Sequence, residues 1–130
     1  MAAKSVLIVD DNPQNLKLAR ILLVHHGYDV HTAVDAEQAL KLLETVNPAL
    51  ILMDLQLPGM DGFELTRRLK ADPRTRHIII VAVTAYAMKG DALRAKEAGC
   101  DGYVAKPIDT RSLPGELAAY LAKRALSMPN

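Results

Sequence analysis

Five short apolar runs punctuate the chain, and between them apolar residues recur at helical spacing. The first run, Val6-Leu7-Ile8-Val9, stops abruptly at Asp10-Asp11-Asn12-Pro13. An Asp or Asn before Pro13 suits a helix cap, so a helix is predicted over 13–26 and stops at Gly27. In it Asn15, Leu18, Ala19 and Leu22 share the face predicted to lie on a sheet, and Leu16 and Leu23 form a second stripe beside it. A second strand is predicted over 28–33. A helix follows over 36–46, with Ala39, Leu40, Leu43 and Val46 in period and Asn47-Pro48 as its stop. The third run, Leu50-Ile51-Leu52-Met53, ends in Asp54 before Leu57-Pro58-Gly59. Asp61-Gly62 opens a helix predicted over 63–71, which Asp72-Pro73 ends. The most hydrophobic run, 78–83, ends at Thr84. A helix over 87–98 closes at Gly99, and a short strand over 102–105 ends at Lys106-Pro107. The last helix is predicted over 110–125, with Pro114 and Gly115 weakening its first turn.

The resulting order is strand then helix, five times over. Short continuous apolar strands alternating with helices imply parallel pairing, right-handed crossovers and helices on both faces of one sheet. The predicted class is therefore α/β, a three-layer α/β/α sandwich.

Composition narrows this little but excludes several functions. A length of 130 residues fits one domain, expected to span 1–130 with no linker and no output domain. A net charge of +1 provides no bulk field for nucleic acid or a membrane surface. No apolar run approaches the roughly 20 residues of a membrane span, and no signal peptide precedes the first strand, so the expected compartment is the cytoplasm. The single cysteine, Cys100, rules out an internal disulfide and a cysteine metal cluster.

The strand ends change the picture. Strand one ends in Asp10 and Asp11, strand three in Asp54, strand four in Thr84 and strand five in Lys106. In a parallel sheet these ends share one edge, where open α/β folds bind ligands. Taken singly, each serves equally well as a cap or turn residue. Together they form one chemical set. Three close carboxylates repel and call for a cation beyond Lys106. Hard oxygen donors without a nearby histidine or thiol favour magnesium, since His25, His26, His31 and His77 lie away from these ends. An aspartate beside such an ion, a lysine and a hydroxyl is equipped to accept a phosphoryl group as an acyl phosphate.

The segments Val6 to Asn12, Leu52 to Gly62, Val83-Thr84-Ala85 and Ala105-Lys106-Pro107 resemble the receiver domain of bacterial response regulators. The resemblance covers essentially the whole chain. It is strongest to single-domain cell-division regulators of the DivK type, through residues 81–91, and to receivers of hybrid histidine kinases, through residues 11–15. It implies a flavodoxin-like (CheY-like) five-stranded parallel sheet in the order 2-1-3-4-5. It implies Asp54 as phosphoacceptor, and Mg2+, with Mn2+ as a substitute, held by Asp11, Asp54 and the backbone carbonyl of Gln56, Asp10 acting mostly through water. Thr84, Ala85 and Lys106 would bind the phosphoryl, Thr84 and Tyr103 would be the switch pair, and Pro107 would follow a cis bond. Gln56 and Tyr86 fall at positions that tune phosphoryl lifetime in that family.

The partners so implied are a histidine kinase or histidine phosphotransfer protein upstream and a target protein downstream. The target would bind the face formed by the fourth helix, fifth strand and fifth helix. The protein is expected to be a monomer or a weak phosphorylation-dependent dimer, without nucleic-acid binding or membrane insertion. Leu16 and Leu23, as a side stripe, are candidate docking residues for the phosphodonor. Three other functions compete. A flavin- or nucleotide-binding module on the same fold would need a Gly- or Ser/Thr-rich phosphate loop after strand one, where Asp10-Asp11 stands. A magnesium-dependent phosphatase using Asp54 would need a second acid two residues later, where Gln56 stands. A docking-only receiver would not need Asp54, Thr84 and Lys106 intact.

Overall fold

The computed structural model describes residues 4–57, 59–84, 90, 92–106 and 108–127. Five strands, β1 (Ser5–Val9), β2 (Asp29–Ala33), β3 (Leu50–Asp54), β4 (Ile79–Thr84) and β5 (Gly102–Ala105), form one sheet. Its order is β2-β1-β3-β4-β5, and every neighbouring pair is parallel. The helices are α1 (Pro13–His25), α2 (Ala36–Leu42), α3 (Gly62–Ala71), α4 (Ala92–Ala98) and α5 (Leu113–Ser127).

Strand alternation divides the core in two. Val6, Ile8, Leu50, Leu52, Val81 and Val83 face α1 and α5. Leu7, Val9, Ile51, Met53 and Ile80 face α2 and α3. A smaller cluster of Leu55, Phe63, Ala82, Ala95 and Ala98 joins α3 to α4. Both central strands are buried along their whole length, as a parallel sheet covered on both faces requires.

Helix starts follow the sequence signals. Asn12 caps α1, its Oδ1 accepting from the backbone N–H of Gln14 and Asn15 at 2.9 and 3.2 Å, with Pro13 in the first turn. Asp35 and Asp61 cap α2 and α3 in the same way. Gly27 adopts φ +90°, the left-handed turn that ends α1.

Three helix expectations need correcting. The helix predicted to reach Val46 ends at Leu42: Glu44 and Thr45 donate to carbonyls three residues back, tightening the chain into turns. The last helix starts at Leu113, after a turn in which Asp109 accepts from the N–H of Arg111 and of Leu113. Pro114 then falls in its first turn, where no N–H is needed. The larger correction concerns the faces of α1. Leu16, Ala19 and Leu23 are its buried residues, whereas Leu18 is 45% exposed and Leu22 only partly buried. The start predicted for the fourth helix, over 87–91, lies outside the described residues except for Gly90, as do Ala85, Tyr86 and Pro107.

Candidate functional site

Register builds the site. Val9 pairs with Met53, Asp54 with Val83, and Thr84 with Ala105. Asp10, Asp54, Thr84 and Lys106 therefore end up at one sheet edge. The backbone N–H of Lys106 donates to Thr84 O at 2.8 Å, carrying the pairing one residue beyond β5.

Asp54 is buried, with 2% of its side chain exposed, and Asp10 and Thr84 are buried as well. One oxygen of Asp54, Oδ1, accepts from the N–H of Gln56 at 3.0 Å and lies 3.1 Å from Lys106 Nζ. Asp10 Oδ1 accepts from the N–H of Asn12 at 2.9 Å, turning the chain from β1 toward α1. Asp11 stays exposed. Carboxylate oxygens of Asp10, Asp11 and Asp54 all lie within 4.8 Å of one another. Burial, foremost, and the neighbouring Asp54 carboxylate push the Asp10 carboxyl above its ordinary pKa, while the Asn12 N–H and Lys106 pull the other way.

This donor set fits a hard divalent cation. It offers only oxygen, and three carboxylates against one ammonium leave a formal charge of −2 at the sheet edge. The described histidines take no part. His25 and His26 pack edge to face at the far end of α1, and His77 meets the Asn47 side chain at 3.0 Å.

Two residues that sequence reasoning did not single out shape this edge. A Cβ on Gly62 would lie 2.5 Å from Asp54 O and 2.7 Å from Leu55 Cα, so only glycine lets α3 approach the end of β3 so closely. The Asp-Gly pair marked a helix start, but nothing in its spacing marks that approach. Phe63, one residue on, is buried against the residue after Asp54 and lies under the Arg94 guanidinium, 4.2 Å from the ring centre.

The predicted docking pair is not at the surface. Leu16 and Leu23 are core residues packed against β1, β3 and α5, which corrects their assignment as a docking stripe. The exposed apolar residues of α1 are Leu18, Ile21 and Val24. Tyr103 is 48% exposed on β5, so its ring faces outward. Cys100 donates to Thr66 Oγ1 at 3.7 Å, and burial raises its thiol pKa, as fits a packing residue.

A doubly wound α/β domain with buried carboxylates and a lysine at the carboxyl ends of its strands defines a class: an α/β domain with an acidic, cation-accepting site at the sheet edge where such folds bind ligands. The chain belongs to the response regulator receiver domain family, which it matches over residues 6–118. Over 118 residues it is 45% identical to the polar-differentiation response regulator DivK of Brucella ovis, covering 91% of this chain and 96% of that one. It resembles the solved receiver domain of a sensor histidine kinase from Pseudomonas aeruginosa, with 35% identity, a TM-score of 0.85, and 93% and 99% of the two chains covered. That structure has a magnesium ion coordinated in its active-site cleft. A chemotaxis response regulator of Vibrio cholerae gives a TM-score of 0.86 at 25% identity, covering 91% of this chain and 98% of that one. The family and the strand order expected from sequence are both borne out. The chain is thus a component of two-component signalling. Among the described residues, no helix is long and apolar enough to cross a membrane.

Proposed function

We propose that this protein is a cytoplasmic single-domain response regulator that accepts a phosphoryl group on Asp54 and reports it through protein contact. The observation that carries this reading is the buried Asp54, with Lys106 Nζ at 3.1 Å and the Asp10 and Asp11 carboxylates clustered beside it.

Upstream, the donor is a phosphohistidine on a kinase or phosphotransfer protein. Asp54 Oδ1 is held by Lys106 and the Gln56 N–H, so Oδ2 is assigned as the attacking atom. Its lone pair forms the new O–P bond while the P–N bond breaks, and the departing imidazole nitrogen keeps that electron pair and takes a proton from solvent. Asp10, Asp11, Asp54 and the Gln56 carbonyl would hold Mg2+, with Mn2+ as a substitute. The ion would supply positive charge against the phosphoryl oxygens during transfer. Lys106 then pairs with the bound phosphoryl, and Ala85 is assigned to bind it with Thr84. Gln56 offers no general acid two residues after the nucleophile, so the phosphoryl is lost by self-dephosphorylation rather than by phosphatase turnover.

Downstream, phosphorylation adds about −1.5 to −2 charges at this edge. Thr84 is drawn toward that charge, and the exposed Tyr103 ring turns into the space behind it. The face of α4, β5 and α5, where Leu93 and Tyr103 are exposed, is the surface read by the target. The protein acts as a monomer or a weak phosphorylation-dependent dimer.

Docking of the donor is reassigned to Leu18, Ile21 and Val24 on α1, which starts directly beside Asp10 and Asp11. An apolar stripe of this kind next to an acidic pocket fits the helices of a histidine donor domain. The test is transfer from a purified, radiolabelled histidine phosphotransfer protein. Label should move to the wild-type chain with magnesium and stay on the donor with chelator. Transfer unaffected by chelator would overturn the metal assignment, and no transfer from any histidine donor would overturn the reading.

A further inference from the structure

Three hydrogen bonds fix the turn that follows the Asp54 carboxylate. The N–H of Leu55 donates to Val83 O at 3.3 Å, and Leu55 O accepts from the N–H of Gly62 at 3.1 Å. The N–H of Gln56 donates to Asp54 Oδ1 at 3.0 Å. Leu55 is thus tied to β4 on one side and to the first residue of α3 on the other. Its buried side chain packs in the small cluster with Phe63, Ala82, Ala95 and Ala98.

The buried side chains that α4 brings to this cluster, Ala95 and Ala98, are single methyl groups that grip little surface. Arg94 of the same helix adds a longer contact. Its guanidinium covers the Phe63 ring at 4.2 Å from the ring centre, well inside the roughly 6 Å reach of cation–π attraction. Arg94 is an exposed residue, and a cation can stay on the ring face there while its outer side remains hydrated. Arg94, Phe63, Leu55 and Gln56 therefore form a series that runs from α4 to Asp54 Oδ1.

We propose that Phe63 and Arg94 are positioning residues for phosphoryl uptake. The Arg94–Phe63 contact holds Leu55, and through it the Gln56 N–H, where that N–H fixes Asp54 Oδ1 and leaves Oδ2 to attack. This role rests on Asp54 as the phosphoacceptor. Neither side chain touches the reacting atoms. Because α4 belongs to the face assigned to the target, the pair also links that face to the reacting carboxylate by a route that bypasses Thr84 and Tyr103. A contact that merely packed α3 on α4 would change stability and leave the Gln56 bond as it is.

The test uses the full chain. In the metal-free protein, amide hydrogen exchange at Gln56 reads its bond to Asp54. Arg94→Met keeps the length and removes the charge at an exposed position. It should speed Gln56 exchange about threefold or more while exchange within β3 stays as in the wild type, and Arg94→Lys should restore most of the protection. With magnesium and acetyl phosphate, Arg94→Met should lower the maximal rate of Asp54 phosphorylation by a similar factor. The half-saturating acetyl phosphate concentration should change little, since the loss lies in orienting the carboxylate. Phe63→Leu should act alike, and the double variant should add little to either single one. The pair is overturned as a positioning device if Arg94→Met leaves Gln56 exchange and the maximal rate unchanged, if β3 exchange accelerates equally, if Arg94→Lys fails to rescue, or if the two losses multiply. A wild-type chain that takes no phosphoryl would overturn the Asp54 reading and this role with it, whereas a labelled wild type beside an equally fast Arg94→Met overturns this role alone.

Discussion

Replacing Asp10 with asparagine separates stability from function at the acidic edge. In the metal-free protein, Asp10 is a buried carboxylate within 4.8 Å of two others. Two unit charges at that distance repel by about 3 kcal/mol at an effective dielectric of about 20. The exposed Asp11 is screened by solvent, so the Asp54 repulsion dominates, and the lost attraction to Lys106 offsets part of the relief. Asparagine keeps a carbonyl to accept the Asn12 N–H, so the turn into α1 survives. The net expectation is stabilisation by about 2 kcal/mol, or a Tm higher by about 5–10 °C for a domain of this size, by calorimetry in chelator. Magnesium should reverse the ranking. Wild-type Tm should rise with added magnesium as ligand linkage requires, and the variant's should rise far less. A variant less stable than wild type in chelator, or equally responsive to magnesium, would refute the picture of a strained carboxylate cluster relieved by a cation.

Three further outcomes follow from the packing. Leu23→Ala, at a fully buried position, should cost about 2–5 kcal/mol in denaturant unfolding, while Leu18→Ala should stay within about 0.5 kcal/mol; equal costs would contradict the assigned faces of α1. Ile21→Glu, on the exposed stripe, should slow phosphotransfer from a histidine donor at least tenfold while leaving phosphorylation by acetyl phosphate unchanged; parallel losses would place the damage in the site instead. Gly62→Ala forces a methyl against the Asp54 carbonyl and should cost about 1–3 kcal/mol and slow phosphorylation, measured by thermal melts and acetyl phosphate kinetics; an unperturbed melt would show that α3 can retreat freely.

The strands and their polar ends were legible because a buried parallel strand must be apolar throughout. The first polar residue then marks the sheet edge, as Asp10 and Asp54 do after Val9 and Met53. The faces of α1 were not. Leu16, Leu18, Ala19, Ile21, Leu22, Leu23 and Val24 surround most of that helix, so periodicity allows two core faces nearly equally, and only packing against β1, β3 and α5 selects Leu16, Ala19 and Leu23. The end of α2 was hidden for a related reason. Leu43 and Val46 keep the helical spacing and are still partly buried, although the backbone there has already turned. The close approach of Gly62 is a fact of three dimensions that a local Asp-Gly signal does not carry.

The central claim is that Asp54 takes the phosphoryl group. Incubation with magnesium and acetyl phosphate, followed by intact mass and borohydride trapping, reads this directly. The account predicts a gain of one phosphoryl mass, labile to hydroxylamine, located on Asp54, lost in Asp54→Asn and suppressed by chelator. A stable adduct on another residue, or full labelling of Asp54→Asn, would contradict it.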